Sequence, residues 1–508
     1  MRWLCTFIYY LHTHQSIHAI YRYVSNDAIN WDRAEFPQDH GGLKEDAYTI
    51  LESTLYSIQV DVLTTSSVGS AMGELFTSNS NGTYFTRNLA NTNRHPRGLV
   101  DFEQIEGIDG IVMANIVKNA DEVRSNHKAT KKLRSKISFN DGKMNTWQDL
   151  KAGDKSLHLH SVTKLVNGGR VYSSRAPGLV MGVGNTGDYL QDYIDGDLYV
   201  SDDAGLTWMR TREDAHKYEF GGSGSIIVAV YDEGDTNKVS YSKDHGKHWE
   251  DVDLSVNIRA RLLTTTPDST SLKFLLVGSS KEKKSYIFDL DFKDVFEGRK
   301  CKLDKDDNSQ SDYEKWYARY DSYGSPDCLM GRKQYFWRRK KGADCNVGNL
   351  FKEPIVENEI CECQDEDFEC DFNFVLDIDM KCVLAPGAKL PIPPDECKNP
   401  KDSYWGPSGY RKIPGNSCQG GVMKDHPVQR ECDDGKVLYL LLGYVVHRFS
   451  HFHTVNWQNN FQIFRIQCQD GCGILLSPEY GEFTYRRRGM YVVPAITTAN
   501  SVDHYLGD

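Results

Sequence analysis

The stretch Ser201–Trp208, SDDAGLTW, returns 41 residues later as Ser242–Trp249, SKDHGKHW. Both read Ser-x-Asp-x-Gly-x-(Thr/His)-Trp. A repeat at that spacing constrains the fold more than any bulk property, because one supersecondary unit must then be built more than once. Each residue type has a job in a strand–turn–strand. Asp203 or Asp244 accepts hydrogen bonds from the N–H groups of its own turn. Gly205 or Gly246 permits positive φ where the chain reverses. Trp208 or Trp249 covers the turn with a large apolar face. Two degenerate copies lie upstream. SNDAINW keeps Ser25, Asp27 and Trp31 but is one residue short and lacks the glycine; SFNDGKMNTW keeps Ser138, Gly142 and Trp147, puts Asn140 at the Asp position and adds two residues before Thr146. The steps between copies are 113, 63 and 41 residues. At ~40–50 residues per four-stranded blade these are two to three blades, one enlarged blade and one blade. As acids or metal ligands these residues would converge on nothing, since each turn carries one of them. The motif is an Asp-box, a corner repeated because blades are repeated.

The texture between the boxes agrees. Runs such as AYTILES, LYSIQVDVL, GIVMANIV, GLVMGVG, SIIVAVYD and KFLLVGSS are β-branched or apolar and bounded by Gly, Asn and Asp. Helical periodicity is nearly missing. The predicted fold class is all-β, a partial Asp-box propeller over 23–300 with room for roughly six blades.

Thirteen cysteines are present, and ten fall between 301 and 432: Cys301, Cys328, Cys345, Cys361, Cys363, Cys370, Cys382, Cys397, Cys418 and Cys432. None lies between Cys5 and Cys301. An even set in one segment predicts a disulfide framework and an oxidising compartment. Zinc is the competing reading, but paired Cys-x₂₋₄-Cys hooks are scarce: the close spacings are Cys361-Glu-Cys363 and Cys468-x₃-Cys472. No metal or other cofactor is expected. A net charge of −11 argues against nucleic-acid binding. The basic runs Arg338-Arg339-Lys340-Lys341 and Arg486-Arg487-Arg488 read as solvated surface. The start shows no clear leader peptide, and the longest apolar run, Val437–Val446, is about half of what crosses a bilayer. Oxidised cysteines without an entry signal lead to the expectation that the sequence is a piece of a longer polypeptide.

Two families use such turns. A sialidase would need a Phe/Tyr-Arg-Ile-Pro motif ahead of the boxes; the near match, YRKIP at Tyr410–Pro414, follows them and carries an inserted lysine. A secreted Asp-box glycosidase therefore stands as the alternative. The closer resemblance is to the luminal domain of the sortilin-type vacuolar protein sorting receptors, the fungal ones in particular. It rests on GDLYVSDDAGLTW, SLHLHSVT, GSIIVAVYDEG, YSKDHGKHW, IRARLLTTTPDSTSLKFLLVG, CECQDEDFECDFNFV and SGYRKIPGNSCQGGV, and covers roughly residues 22–432. The resemblance implies a ten-bladed propeller followed by a cysteine-rich module packed on its face. It implies a receptor rather than an enzyme. Such a receptor binds peptide segments of soluble vacuolar hydrolases and carries them from the late Golgi to the endosome and vacuole. In full-length members a transmembrane helix and a tail read by adaptor and retromer-type coats complete the machinery. Carried over from the family's pocket strand, Tyr48 and Ile50 are the candidate ligand-binding residues. The implied organisation is an unplaced segment 1–22, propeller 23–300, ten-cysteine module 301–432, and an unplaced segment 433–508. A third possibility is a soluble decoy that binds cargo without sorting it.

Asn81-Gly82-Thr83 is a glycosylation sequon set among turn residues. His158 and His160 share one strand face; packed or hydrogen-bonded histidines are the plain reading, and a sensor of endosomal pH the sharper one. The acidic cluster Asp365-Glu366-Asp367, with Glu369 and Asp371, fits no ion-binding loop and reads as a solvated face.

Overall fold

A computed structural model describes residues 5–13, 16–25, 29–37, 48–54, 56–65, 69–143, 146–164, 173–348, 356–390, 397, 402–432 and 463–467. The all-β expectation holds. Among these residues the one α-helix is Ala120–Ser125, a short crossing piece that buries Ala120 and Val123.

The propeller part is a series of antiparallel sheets taken up in chain order. Cys5–Thr13, Ser16–Ser25 and Asp32–Arg33 pair in succession, and Ile463–Gln467 joins the free side of the first strand. Tyr48–Ser53, Ile58–Thr65, Met72–Ser78 and Phe85–Asn93 form a four-stranded blade. A single bridge, Thr92 to Ile116, links it to the next, made of Phe102–Gln104, Val112–Val117, Leu133–Ser138 and Gln148–Asp149. Lys151–Ala152, Lys155–Leu159, Val180–Thr186, Asp197–Ser201 and Met209–Arg212 make the third such sheet. His216–Gly221, Ile226–Tyr231 and Asp235–Ser242 then pair with Glu250–Thr264, a 15-residue strand whose far half pairs with Lys273–Ser279, and that strand with Ser285–Asp291.

Successive sheets are sealed face to face by apolar clusters. Met181, Val183, Leu198 and Val200 meet Tyr218, Phe220, Ile227 and Ala229. On the other face of that sheet Ile226, Val228 and Val230 meet Ile258, Phe274 and Leu276. A strand such as Ile226–Tyr231 therefore reads as a continuous apolar run, because both of its faces are covered.

After Cys301 the elements shrink. Tyr313–Tyr317, Arg332–Arg339 and Val356–Ile360 form a three-stranded sheet; Phe368–Cys370 with Tyr410–Lys412, Phe374–Leu376 with Cys382–Leu384, and Ser403–Gly406 with Val428–Glu431 are two-stranded. All ten cysteines are bonded: 301 to 345, 328 to 361, 363 to 418, 370 to 382 and 397 to 432. Asp367 lies beside the Cys363–Cys418 pair, but both sulfurs are spent on each other, so the trio is no metal site.

Candidate functional site: box turns beneath a cystine module

The box turns are built as their sequence asks. Ser201 Oγ donates to Asp203 Oδ1 at 2.7 Å and accepts from Gly205 N–H at 2.8 Å; Thr207 N–H donates to the same carboxylate at 2.8 Å; Trp208 Nε1 donates to the Gly205 carbonyl at 3.0 Å. The Ser242 turn repeats this with Asp244, Gly246, His248 N–H and Trp249 Nε1 at 2.9, 2.9, 2.8 and 3.0 Å. Asn140 substitutes for the aspartate at the third copy: its Oδ1 accepts from Ser138 Oγ at 2.8 Å and Thr146 Oγ1 at 2.6 Å, while Trp147 Nε1 reaches the Gly142 carbonyl at 2.9 Å. Ala204 and His245, just ahead of their glycines, also sit at positive φ, 60° and 59°, so each corner contains two left-handed residues in a row. In the earliest copy Ser25 is buried and Trp31 half-buried, while Asp27 lies outside the described residues.

A related Asn-Gly corner, without the serine bonds of the box, was not read from the sequence. In SNSNGTY, Ser78–Tyr84, Asn79 Oδ1 accepts from Thr83 N–H at 2.9 Å and Gly82 takes φ 80°. It is a residue shorter and ends in Tyr, so a search for Trp misses it; Asn-Gly between two strands was the available signal. Asn81 of the sequon stands exposed at this corner and accepts from Thr83 Oγ1 at 2.6 Å.

These corners face the cysteine module, and the strand Arg332–Arg339 shows how it docks. Residues of alternating strand faces point to opposite sides, and Arg332, Gln334, Phe336 and Arg338 point inward. Arg332 pairs with Asp109; Gln334 Nε2 donates to the Asp109 carbonyl at 3.0 Å and its Oε1 accepts from Asp109 N–H at 3.2 Å. Phe336 enters a core shared with Ile105, Ile108, Trp208 and Trp316. Arg338 donates to the carbonyls of Asp202 at 2.6 Å and Pro177 at 3.2 Å, stacks over Trp316 at 4.4 Å and pairs with Glu314 at 2.8 Å. Arg339 donates to the carbonyls of Lys243 at 2.5 Å and Ser225 at 3.3 Å.

This corrects the reading of the basic run as solvated surface. Arg338 is 9% and Arg339 5% exposed. Guanidinium groups carry five donors each, and carbonyls left over at blade corners accept from their terminal nitrogens. Lys341 of the same run pairs with Asp202. The run Arg486–Arg488 lies outside the described residues.

Arg411, the arginine of YRKIP, anchors the other end. It pairs with Glu369 at 2.8 Å and donates to Thr86 Oγ1 at 2.6 Å, the Thr77 carbonyl at 3.1 Å and the Tyr84 carbonyl at 3.3 Å. Tyr84 lies against Phe372 with ring centroids 4.9 Å apart, and Lys143 Nζ donates to the Glu366 carbonyl at 3.1 Å. Arg411 is buried and cannot receive a substrate carboxylate. The acidic cluster divides accordingly. Asp365 and Glu366 are exposed as expected, but Glu369 is buried on Arg411, and Asp367 is buried capping a turn through Gln364 N–H at 2.8 Å and Asn416 Nδ2 at 2.6 Å. A cavity of about 530 Å³ opens at this end of the seam, lined by Arg87, Lys143, Glu366, Phe368, Phe374 and Tyr410 among others.

Tyr48 and Ile50 are half-buried and pack against the cluster of Val24, Ile58, Val60 and Phe76. Between them Thr49 Oγ1 accepts from Arg94 at 2.8 Å, and Arg94 pairs with Asp61. Burial pushes the Asp61 carboxyl up to about 6, against the pull of Arg94. His158 is locked as a neutral ring: Nδ1 accepts from Ser135 N–H at 3.2 Å and Nε2 meets the Gly187 carbonyl at 2.9 Å, and burial lowers its pKa. Burial also pushes His160, packed on Tyr193, down to about 4. The lowered pKa of both rings and the bonds that hold His158 leave the plain reading of the pair.

Fold and seam together define a β-propeller protein whose corner turns carry a cystine-stapled module. The chain belongs to the sortilin family. The family model for sortilin (neurotensin receptor 3) matches residues 2–263, which takes in residues 2–22, and its C-terminal companion matches residues 265–432. The vacuolar protein sorting/targeting protein 10 of Uncinocarpus reesii is 55% identical over 418 residues, 81% of this chain and 27% of that protein. Those of Blastomyces gilchristii and Paracoccidioides brasiliensis are 56% and 49% identical over 92% and 96% of this chain, or 31% and 32% of theirs. The chain thus spans about 27–32% of the length of these relatives. Among solved structures, a GH74 xyloglucanase from Xanthomonas campestris gives 12% identity at TM-score 0.28 over 57% of this chain and 42% of that one, a likeness too slight to bear on fold or function.

Proposed function

We propose that the chain is the cargo-binding luminal part of a vacuolar sorting receptor, working in the lumen of the late Golgi and endosome by binding rather than catalysis. Membership of the sortilin family at about half identity to vacuolar sorting proteins carries this reading. It divides into the propeller part 23–300 and the ten-cysteine module 301–432. Cargo is a peptide segment of a soluble vacuolar hydrolase, met by the pocket strand that bears Tyr48 and Ile50. In the full-length receptor, adaptor and retromer-type coats read the tail. Asn81 carries an N-linked glycan, as its exposure at a corner allows. No helix among the described residues is long and apolar enough to cross a membrane.

The test is calorimetric titration of the secreted chain with propeptide segments of vacuolar hydrolases. Saturable binding that weakens in Tyr48→Ala/Ile50→Ala supports the reading. Turnover of fluorogenic sialosides or β-glucans by the same preparation would revive the glycosidase instead. A glycosidase-sensitive mobility shift that disappears in Asn81→Gln checks the glycan.

A further inference from the structure

Between the last box turn and the cysteine module lies a cavity of about 20 Å³, the size of one water or one halide. Arg175, Arg338 and Arg339 line it with His245, Ser223 and Tyr313, and no carboxylate is among its lining residues. The charges around it do not balance. Arg338 is neutralised by Glu314 at 2.8 Å, and Arg175 by Glu106 at 3.8 Å. Arg339 is 5% exposed, and its terminal nitrogens meet only the carbonyls of Ser225, Lys243 and Ala343. Among the described residues it has no carboxylate partner, and its Nε–H is buried without an acceptor. His245 is no second cation for the cavity: burial holds its ring neutral, and its Nδ1 faces Asp202 Oδ2 at 3.7 Å, an acid that also pairs with Lys341. A buried cation without a counter-charge costs several kcal/mol, roughly, unless something supplies one.

We propose that this cavity binds a single monatomic anion, chloride, on Arg339 Nε, and that the ion fastens the cysteine module to the last box turn. Phosphate and sulfate are too large for it. Asp344, Asp244 and Asp312 act on Arg339 without touching it, and the anion supplies the contacting counter-charge they do not.

Crystals of the whole chain grown or soaked in bromide test this directly. The expected result is an anomalous peak within hydrogen-bonding reach of Arg339 Nε; a site that refines as water with no anomalous signal overturns the proposal. In solution, replacing gluconate by chloride at equal ionic strength should raise the thermal midpoint by roughly 2–4 °C. Arg339→Lys, which keeps the charge but lacks that N–H, should abolish the increment. An equal rise in both proteins would mean a non-specific salt effect and would also overturn it. The bromide experiment uses the unaltered chain and stands even if the variant folds poorly.

Discussion

The propeller sheets and the cysteine module solve the same problem by different means. In the propeller, residues such as Met181, Val183, Leu198, Phe220 and Val228 are fully buried between sheets, and no cysteine occurs from Thr6 to Lys300. In the module the clusters are small, and cystine sulfurs form much of them: Cys301, Tyr313, Cys345 and Val347 in one, Cys363, Phe368 and Cys418 in the other. Three of its sheets have two strands, which are marginal alone. Its hairpin tip leaves Ile378 99% exposed. Where sheets can stack, the hydrophobic effect suffices; where they cannot, the chain is cross-linked.

If that contrast is right, reduction should divide the molecule. Dithiothreitol should open the module to protease while the propeller sheets keep their far-ultraviolet signal. Removing one bond, Cys363→Ser with Cys418→Ser across a separation of 55 residues, should cost about 4 kcal/mol. The short bond at a separation of 12, Cys370–Cys382, should cost about 3 kcal/mol.

The seam offers the next test, because there the module borrows stability from the propeller. Arg411→Met strands the buried Glu369 carboxylate and should cost about 3–5 kcal/mol, read as earlier proteolytic release of the module. Equal stability with and without Arg411 would mean that the two regions are only tethered.

Within the propeller, pH acts through the buried histidines. His160 has a folded pKa near 4 against about 6.5 unfolded, so the unfolded chain takes up the proton first. Its contribution is complete above pH ~6.5 and is lost as pH falls toward 4, up to about 3 kcal/mol. Glu103, pushed up to about 7 by burial, works the other way, since its burial penalty eases on acidification. His160→Gln should therefore lose less stability than the parent between pH 6.5 and 4 in urea titrations. Parallel curves would contradict the assignment.

A smaller effect should come from the corners. Asp203→Ala removes the acceptor of Thr207 N–H and Oγ1 and should cost about 1–2 kcal/mol. Asp203→Asn should be nearly neutral, since Asn140 performs that role at its own corner.

How much of this the sequence displayed follows from how local each feature is. The box turn is a contract among eight neighbours, so Ser201–Trp208 announced itself, and the runs around it announced strands. The clustering of ten cysteines announced a framework, but the five pairings depend on which strands come together. The seam was hidden for a further reason. Arg338 and Arg339 look like any surface basic run until one sees that their acceptors are backbone carbonyls more than a hundred residues away, at Ser225 and Asp202. A period-two reading of RKQYFWRR would have put Arg332, Gln334, Phe336 and Arg338 on one face and hinted at it. Arg411 stood in a failed sialidase signature and in a stretch that carries the family resemblance, neither of which says what it binds, and its partners Thr77 and Thr86 carry no signal of their own.

The central claim is that this chain is built as an oxidised, cystine-capped propeller. Peptide mapping of the secreted protein under non-reducing conditions tests it most directly. The account predicts five linked pairs, 301–345, 328–361, 363–418, 370–382 and 397–432, with no free thiol among the ten. Free thiols throughout 301–432, or sulfurs recovered bound to zinc, would contradict it.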